Sequence, residues 1–318
     1  MKAGLMLPPQ ADPAEVTGLA REAEQSGFDF LACGEHVFFH SPAPNAFVAL
    51  AAAAGATERI RLLSALTILP LYPAALAAKL AATLDRVSGG RLDLGVGVGG
   101  EYPAEFAAVG VPVRERGRRT DKALGLLTRL FAGEAVCFPG PDGPGGDQAA
   151  GALPPQRLSP LPVQRPRPPL WIGGRRPASM RRAGRFGDVW LPYMYTPEQL
   201  ASGMEQVRAA ALEHGRPAGA VRGAIFCWTA VGGDPAWARC TAVETLSRVY
   251  AQDFSRAVDR YVPTGTPPQV AARLADYAAA GAESVVLVPA CPPEDRPQMI
   301  RTFAEDLLPA LQPVRQTA

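Results

Sequence analysis

Apolar segments of strand length alternate with amphipathic patterns of helical period from one end of this chain to the other. Period-two or continuous apolar runs place strands at 2–7, 28–33, 60–68, 91–98, 170–173, 188–191, 221–230 and 283–288. Between them, apolar residues at three- and four-residue spacing place helices near 13–26, 44–56, 73–87, 114–132, 176–186, 197–214 and 267–281, with a last one near 297–311. Regular strand-helix alternation predicts a parallel sheet, and eight such units predict closure into a barrel rather than an open doubly wound sheet. The expected fold is an α/β (β/α)8 TIM barrel, one domain over 1–318, with insertions at its C-terminal face. Helical sequence at 234–259 exceeds the eight-unit minimum and falls between the seventh strand and the helix that opens at Pro267.

The fourth strand is the most unusual. In Arg91-Leu-Asp-Leu-Gly-Val-Gly-Val-Gly-Gly100, Leu92, Leu94, Val96 and Val98 share one face while Asp93, Gly95, Gly97 and Gly99 share the other. Three glycines on one strand face predict the close approach of a ligand or of another backbone. The literal G-x-G-x-x-G from Gly95 to Gly100 does not predict a dinucleotide fold. Glu101-Tyr102-Pro103 stands where a helix would have to open, Asp121 lies inside a helical pattern, and several strand-helix units come first.

Chemistry in such barrels gathers at the C-terminal ends of the strands. The residues there are Pro8 and Pro9, Glu35 and His36, Thr67 to Pro70, Gly99 to Glu105, Gly173 and Gly174, Tyr193 and Met194, and Pro289. The Pro/Gly-rich stretch at about 138–169 can continue neither helix nor central strand. It is expected to be a long insertion loop, either a surface insertion or a lid over the barrel mouth.

Composition narrows the picture. With 318 residues, 47% hydrophobic and 19% charged, the chain can bury a large core. A net charge of +2, with no basic stripe interleaved with aromatics, gives no reason to expect nucleic acid, and no apolar run reaches the length of a membrane span. Cys33, Cys137, Cys227, Cys240 and Cys291 lack metal-ligand spacing and read as reduced thiols of a cytoplasmic protein. No metal site is expected.

Several motifs together resemble the bacterial luciferase-like superfamily of flavin- and coenzyme F420-dependent oxidoreductases. They are Ala23-Glu-Gln-Ser-Gly-Phe-Asp-Phe-Leu-Ala-Cys-Gly-Glu-His36, Ala56-Thr-Glu-Arg-Ile-Arg-Leu62, Ala82-Thr-Leu-Asp-Arg-Val-Ser-Gly-Gly-Arg-Leu92, Leu94 to Gly99, Glu105 to Val111, Glu115 to Arg119 and Pro169-Leu-Trp-Ile-Gly-Gly174. The resemblance implies that His36 is the acid/base group beside the reactive ring. It implies a bulge with a non-proline cis peptide at Ala65-Leu66, a ring wall from Gly97 to Glu101, and a cofactor phosphate at Gly173 and Gly174. A glycine pair between a strand and a helix suits an anion on independent grounds, and Arg175 and Arg176 can add charge-assisted bonds or sit solvated at the surface. Relatives often carry a bulky side chain where Gly100 stands, so a wider pocket is expected here. Lys122 replaces the acid that relatives often carry after Arg-Arg-x-Asp.

The candidate catalytic residues are therefore His36 and Glu101. The candidate cofactor-binding residues are Ala65, Leu66, Gly97, Gly99, Gly173, Gly174, Arg175, Arg176, Tyr193 and Met194. Glu35 is expected either to orient His36 or to make a structural hydrogen bond, and Glu101 is favoured over Glu105 for the pocket because it directly follows the strand. The expected activity is hydride transfer between coenzyme F420, or a flavin such as FMN, and a small organic substrate. A reduced-FMN monooxygenase is the alternative, and a barrel that binds the cofactor without turnover is a third. A lyase or isomerase would need a lysine at a strand end, and none is evident. A homodimer is expected through the alanine-rich segments 49–54 and 74–82.

Overall fold

The computed structural model describes residues 1–7, 13–138 and 154–311. Pro8 and Pro9 lie outside the described residues. Eight parallel strands form the barrel: β1 (Lys2–Met6), β2 (Phe30–Cys33), β3 (Arg61–Ser64), β4 (Leu92–Gly97), β5 (Leu170–Gly173), β6 (Val189–Leu191), β7 (Arg222–Val231) and β8 (Ala282–Pro289). Each pairs with the next in sequence, and β8 pairs with both β7 and β1, so the sheet closes. The expected strand 60–68 is broken. Ser64 ends β3, Ala65-Leu66 is a cis peptide, and Thr67–Ile68 resumes as a two-residue strand on β4.

The helices α1 (Val16–Gln25), α2 (Ala46–Ala56), α3 (Ala74–Val87), α4 (Pro103–Ala108), α5 (Arg116–Phe131), α6 (Pro177–Phe186), α7 (Pro197–Glu213), α8 (Pro235–Tyr250), α9 (Ser255–Tyr261), α10 (Pro267–Ala279), α11 (Arg296–Thr302) and α12 (Leu308–Leu311) include those that surround the barrel. Their starts follow local chemistry. Asn45 caps α2 by accepting from the Val48 N–H, and Thr196 with Gln199 and Thr266 with Gln269 form capping boxes ahead of a proline at the first position. The short α4 and the pair α8–α9 leave the C-terminal ends of β4 and β7, where insertions were expected. No helix among the described residues is long and apolar enough to cross a membrane.

Side chains plug the N-terminal half of the barrel. The Phe30 ring lies edge-on to Trp171 at 5.5 Å, a contact across non-adjacent strands, and a Cβ at Gly4 would meet that ring at 2.0 Å. Beside them Arg61 grips Asp93 with bonds of 2.7 and 2.8 Å.

The described part of the proline-rich stretch, 154–169, is not a lid. Val163 and Gln164 donate to the buried carboxylate of Asp85 near the end of α3, and Gln164 also donates to the carbonyl of Leu92 at the start of β4. These partners belong to the N-terminal end of the barrel. The reason is topological: a connection from a helix to the next strand returns to the end opposite the strand C-termini. Residues 139–153 of that expectation lie outside the described residues.

Candidate active site

A cavity of about 470 Å³ opens at the C-terminal ends of the strands. Eleven of the twelve candidate site residues line it: His36, Ala65, Leu66, Gly97, Gly99, Glu101, Gly173, Gly174, Arg175, Arg176 and Tyr193. Met194 does not. It takes a positive φ of 49° after β6, and its carbonyl accepts from Arg175.

The glycine face of β4 has a definite purpose. A Cβ on Gly95 would lie 1.8 Å from the Ser64 carbonyl oxygen and 2.8 Å from Leu66 Cδ2, one on Gly97 would lie 3.2 Å from Leu66 Cβ, and one on Gly173 would lie 1.9 Å from Leu66 Cδ1. These three glycines form a socket for the Leu66 side chain. Both expected uses of the bare face occur: Gly95 admits a neighbouring backbone, while Gly97 and Gly99 also face the cavity. Leu66 and the glycines thus make a smooth apolar floor.

His36 stands at one side of this floor. Its Nδ1 lies 3.1 Å from both carboxylate oxygens of Glu105, and Glu105 also accepts from the Val37 N–H at 2.8 Å. Glu105 is fully buried on α4, while a quarter of the His36 side chain is exposed to the cavity. A carboxylate at Nδ1 fixes the tautomer with the proton there, which leaves Nε2 as the acceptor. Phe39 stacks on the imidazole at 4.2 Å and an interplanar angle of 14°. Val37 and Phe38 are about half exposed, so of the three residues only Phe39 supplies an apolar wall. His40 packs edge-on to Tyr102 and does not line the cavity.

The acids divide the work differently from expectation. Glu101 does reach the cavity, where it accepts a hydrogen bond from Tyr193 Oη. Glu105, ranked below it, is the partner of His36. Glu35 does not orient His36. It accepts from the Ile68 N–H at 2.8 Å, Tyr72 Oη at 3.0 Å, and Asn45 and the Ala46 N–H at 3.4 Å, so it ties the bulge to the start of α2. Burial pushes its carboxyl above the usual range, against these hydrogen bonds.

At the opposite side Gly173 ends β5 and Gly174 precedes α6. Gly174 takes a φ of +107°, and a Cβ there would strike Ser179 Oγ at 2.9 Å, so both backbone and space require glycine. The buried Trp190 donates to the Gly174 carbonyl at 2.9 Å. Because a trans peptide points its N–H opposite to its C=O, this bond turns the Arg175 N–H away from Trp190. Arg175, Arg176 and Arg116 line the same region without a carboxylate partner among the described residues. Arg116 was missed in the sequence. Its side chain occupies the space beside Gly100, where a Cβ would meet Nε at 2.7 Å, so the room left by Gly100 is filled by a guanidinium. The third wall is aromatic: Phe39, Phe226, Trp228 and Tyr250. Among the described residues no group of side chains could hold a metal ion.

Residues 1–284 match the model of a family described as luciferase-like monooxygenase. An uncharacterised protein of Mycobacterium tuberculosis is 31% identical over 175 residues, which span 55% of this chain and 57% of that protein. The match therefore covers little more than half of that curated relative. Among solved structures, the monooxygenase RslO1 from Streptomyces bottropensis is 28% identical with a TM-score of 0.81, covering 98% of this chain and all of its own. An F420-dependent secondary alcohol dehydrogenase in complex with an F420-acetone adduct has a TM-score of 0.83 at 21% identity, covering 98% and 99%.

Proposed function

The chain belongs to the luciferase-like monooxygenase family, and from that premise we propose that it is an oxidoreductase moving a hydride between coenzyme F420, or a flavin such as FMN, and a small organic substrate. The observation that carries this reading is the pairing, in one cavity, of a carboxylate-held histidine with a glycine-ended strand that is followed by cations. The residues fit such a cofactor. Leu66, Gly97 and Gly99 offer a flat apolar floor for a tricyclic ring, and Gly173, Gly174, the start of α6 and Arg175, Arg176 and Arg116 suit its phosphate. When bound, the cofactor supplies the redox chemistry.

This chain's own part is positional and protic. Glu105 holds Nδ1–H of His36, so Nε2 takes a proton from, or returns one to, the substrate oxygen as its charge changes. Phe39 keeps the imidazole plane fixed. Glu101 and Tyr193 give the mouth a second hydrogen-bonded polar pair.

A reduced-FMN monooxygenase is the second reading, favoured by the 28% identity to a monooxygenase over its whole length. In it His36 serves as the base and the same apolar walls keep water out. The experiment for both is a titration of purified protein with F420 and with FMN, followed by absorbance and fluorescence. Saturable binding of one of them, weakened about tenfold or more by Arg116→Ala, supports the assignment. A barrel that takes up neither refutes it.

We also propose that two copies associate through α2 and α3. The outer face of α2 carries Val48, Ala51, Ala52 and Gly55, all exposed, and the neighbouring Leu76 of α3 is 49% exposed. Small residues at this spacing let helices approach closely.

A further inference from the structure

Helices α8 and α9 exceed what a closed barrel needs, yet α8 reaches the cavity. Val249 and Tyr250, the last residues of α8, line it. Ala251 then turns the chain with a φ of 52°, and Phe254 returns to stack on Tyr250 at 4.8 Å and 19°. From the barrel, the indole of Trp228 stands edge-on to Tyr250 at 6.3 Å and donates its Nε1–H to Tyr250 Oη at 3.2 Å. Phe39, already stacked on His36, faces Tyr250 edge-on at 6.2 Å. Aromatic groups therefore hold the phenol ring on three sides.

The hydrogen-bond arithmetic of this phenol is unbalanced. Its oxygen accepts from Trp228, but among the described residues its own O–H has no acceptor. Glu101, whose charge it feels, is bonded to Tyr193 instead. Burial, opposed by the Trp228 bond, pushes the phenol up to about 12, so the group remains a donor at ordinary pH. Tyr250 lines the cavity among Phe39, Phe226 and Trp228, so a ligand that supplies an acceptor to its O–H is favoured, because leaving the donor unpaired costs its desolvation. Flat rings match the edges and faces offered by Phe39, Trp228 and Tyr250. The Glu101 carboxylate lies within electrostatic reach of Tyr250 and is already partnered by Tyr193 Oη, so an anionic ligand is disfavoured here and the acceptor is a neutral one.

We propose that Phe39, Trp228 and Tyr250 form the substrate subsite, that it takes a neutral aromatic compound bearing an acceptor oxygen such as an aryl ketone, and that Tyr250 Oη donates the hydrogen bond that fixes this oxygen. The inference rests on the oxidoreductase reading for the word substrate, but the binding it predicts does not need a cofactor. Tyr250 is thus a specificity-determining residue, supplied by an insertion rather than by the barrel.

The test is calorimetric titration of the cofactor-free protein with 2-acetylnaphthalene, 2-ethylnaphthalene and cyclohexyl methyl ketone. The aryl ketone is expected to bind tightest. Tyr250→Phe, checked for folding by circular dichroism, should weaken the aryl ketone about three- to tenfold and leave 2-ethylnaphthalene unchanged, which equalises the two. An unchanged aryl-ketone affinity in Tyr250→Phe overturns the role of Tyr250. Equal affinity of the wild-type protein for the aryl and cyclohexyl ketones, or no binding of the aryl ketone, overturns the aromatic subsite. If the oxidoreductase reading alone is wrong, aryl-ketone binding persists while neither F420 nor FMN binds.

Discussion

Gly173→Ala tests whether the glycines exist to seat Leu66. The new methyl group would lie 1.9 Å from Leu66 Cδ1 and 3.3 Å from Leu66 Cγ, whereas its other close neighbour, the Leu191 carbonyl oxygen, is at an ordinary 3.6 Å. Carbon atoms rest about 3.5–4.0 Å apart, so the overlap of roughly 2 Å falls wholly on one side chain. Leu66 must leave its rotamer and lift from the floor, at a cost of about 1–3 kcal/mol. The lower backbone entropy of alanine in the unfolded chain returns only about 0.4–1 kcal/mol, so the steric effect wins. Leu66→Ala alone costs about 2 kcal/mol, the low end for such truncations because the side chain is partly exposed. In the double variant the clash has no partner, and Gly173→Ala should become neutral or mildly stabilising. The coupling of about 1–3 kcal/mol is read from urea midpoints at constant m-value. Strictly additive single costs would refute the socket.

Glu35 gives a pH prediction with a definite sign. Its folded carboxyl holds the proton more tightly than the unfolded chain does, so its contribution favours folding at low pH and is lost as pH climbs from the unfolded value of about 4.3 through the raised folded value. Glu35→Gln should remove that decline, so the thermal midpoint of the variant, compared with wild type, rises relatively across that window; parallel curves would show that burial of Glu35 carries no titration. For association through α2 and α3, light scattering at micromolar concentration should give twice the chain mass for the wild-type protein and Val48→Glu should yield monomer; a monomeric wild type contradicts the interface.

The barrel was legible because strands and helices differ in period. Strand 170–173 is where the pattern puts it, and the other strands differ by one or two residues at their ends, apart from the break in 60–68. The break of 60–68 at Ala65-Leu66 leaves no trace in the period, since Leu-Leu-Ser-Ala-Leu-Thr-Ile reads as one apolar run. It was reached through resemblance alone. Helix α4 was missed because six residues are too few to show a period, although Pro103 at its first position was a usable start signal. Without that helix the sequence favours Glu101 over Glu105, which is 69 positions from His36 and meets it through α4. Tyr250 and Arg116 were hidden for the same reason: each is an ordinary residue of an ordinary helix until the topology brings it to the cavity. Composition leaves the proline-rich stretch open as a surface insertion or a lid, because it shows only where regular structure stops, while the side of the barrel on which 154–169 lies follows from the order helix to strand.

We propose that His36, held by Glu105, moves the proton of a redox reaction carried out on the glycine floor. The most direct test is single-turnover kinetics of His36→Ala with the cofactor that binds, beside His40→Ala. His36→Ala should keep cofactor affinity, which depends on Leu66, the glycines and the arginines, and lose about 10²–10⁴-fold in the chemical step, while His40→Ala stays near wild type. If His36→Ala turns over at the wild-type rate with cofactor bound, the acid/base assignment is wrong and Glu101 is the next residue to replace.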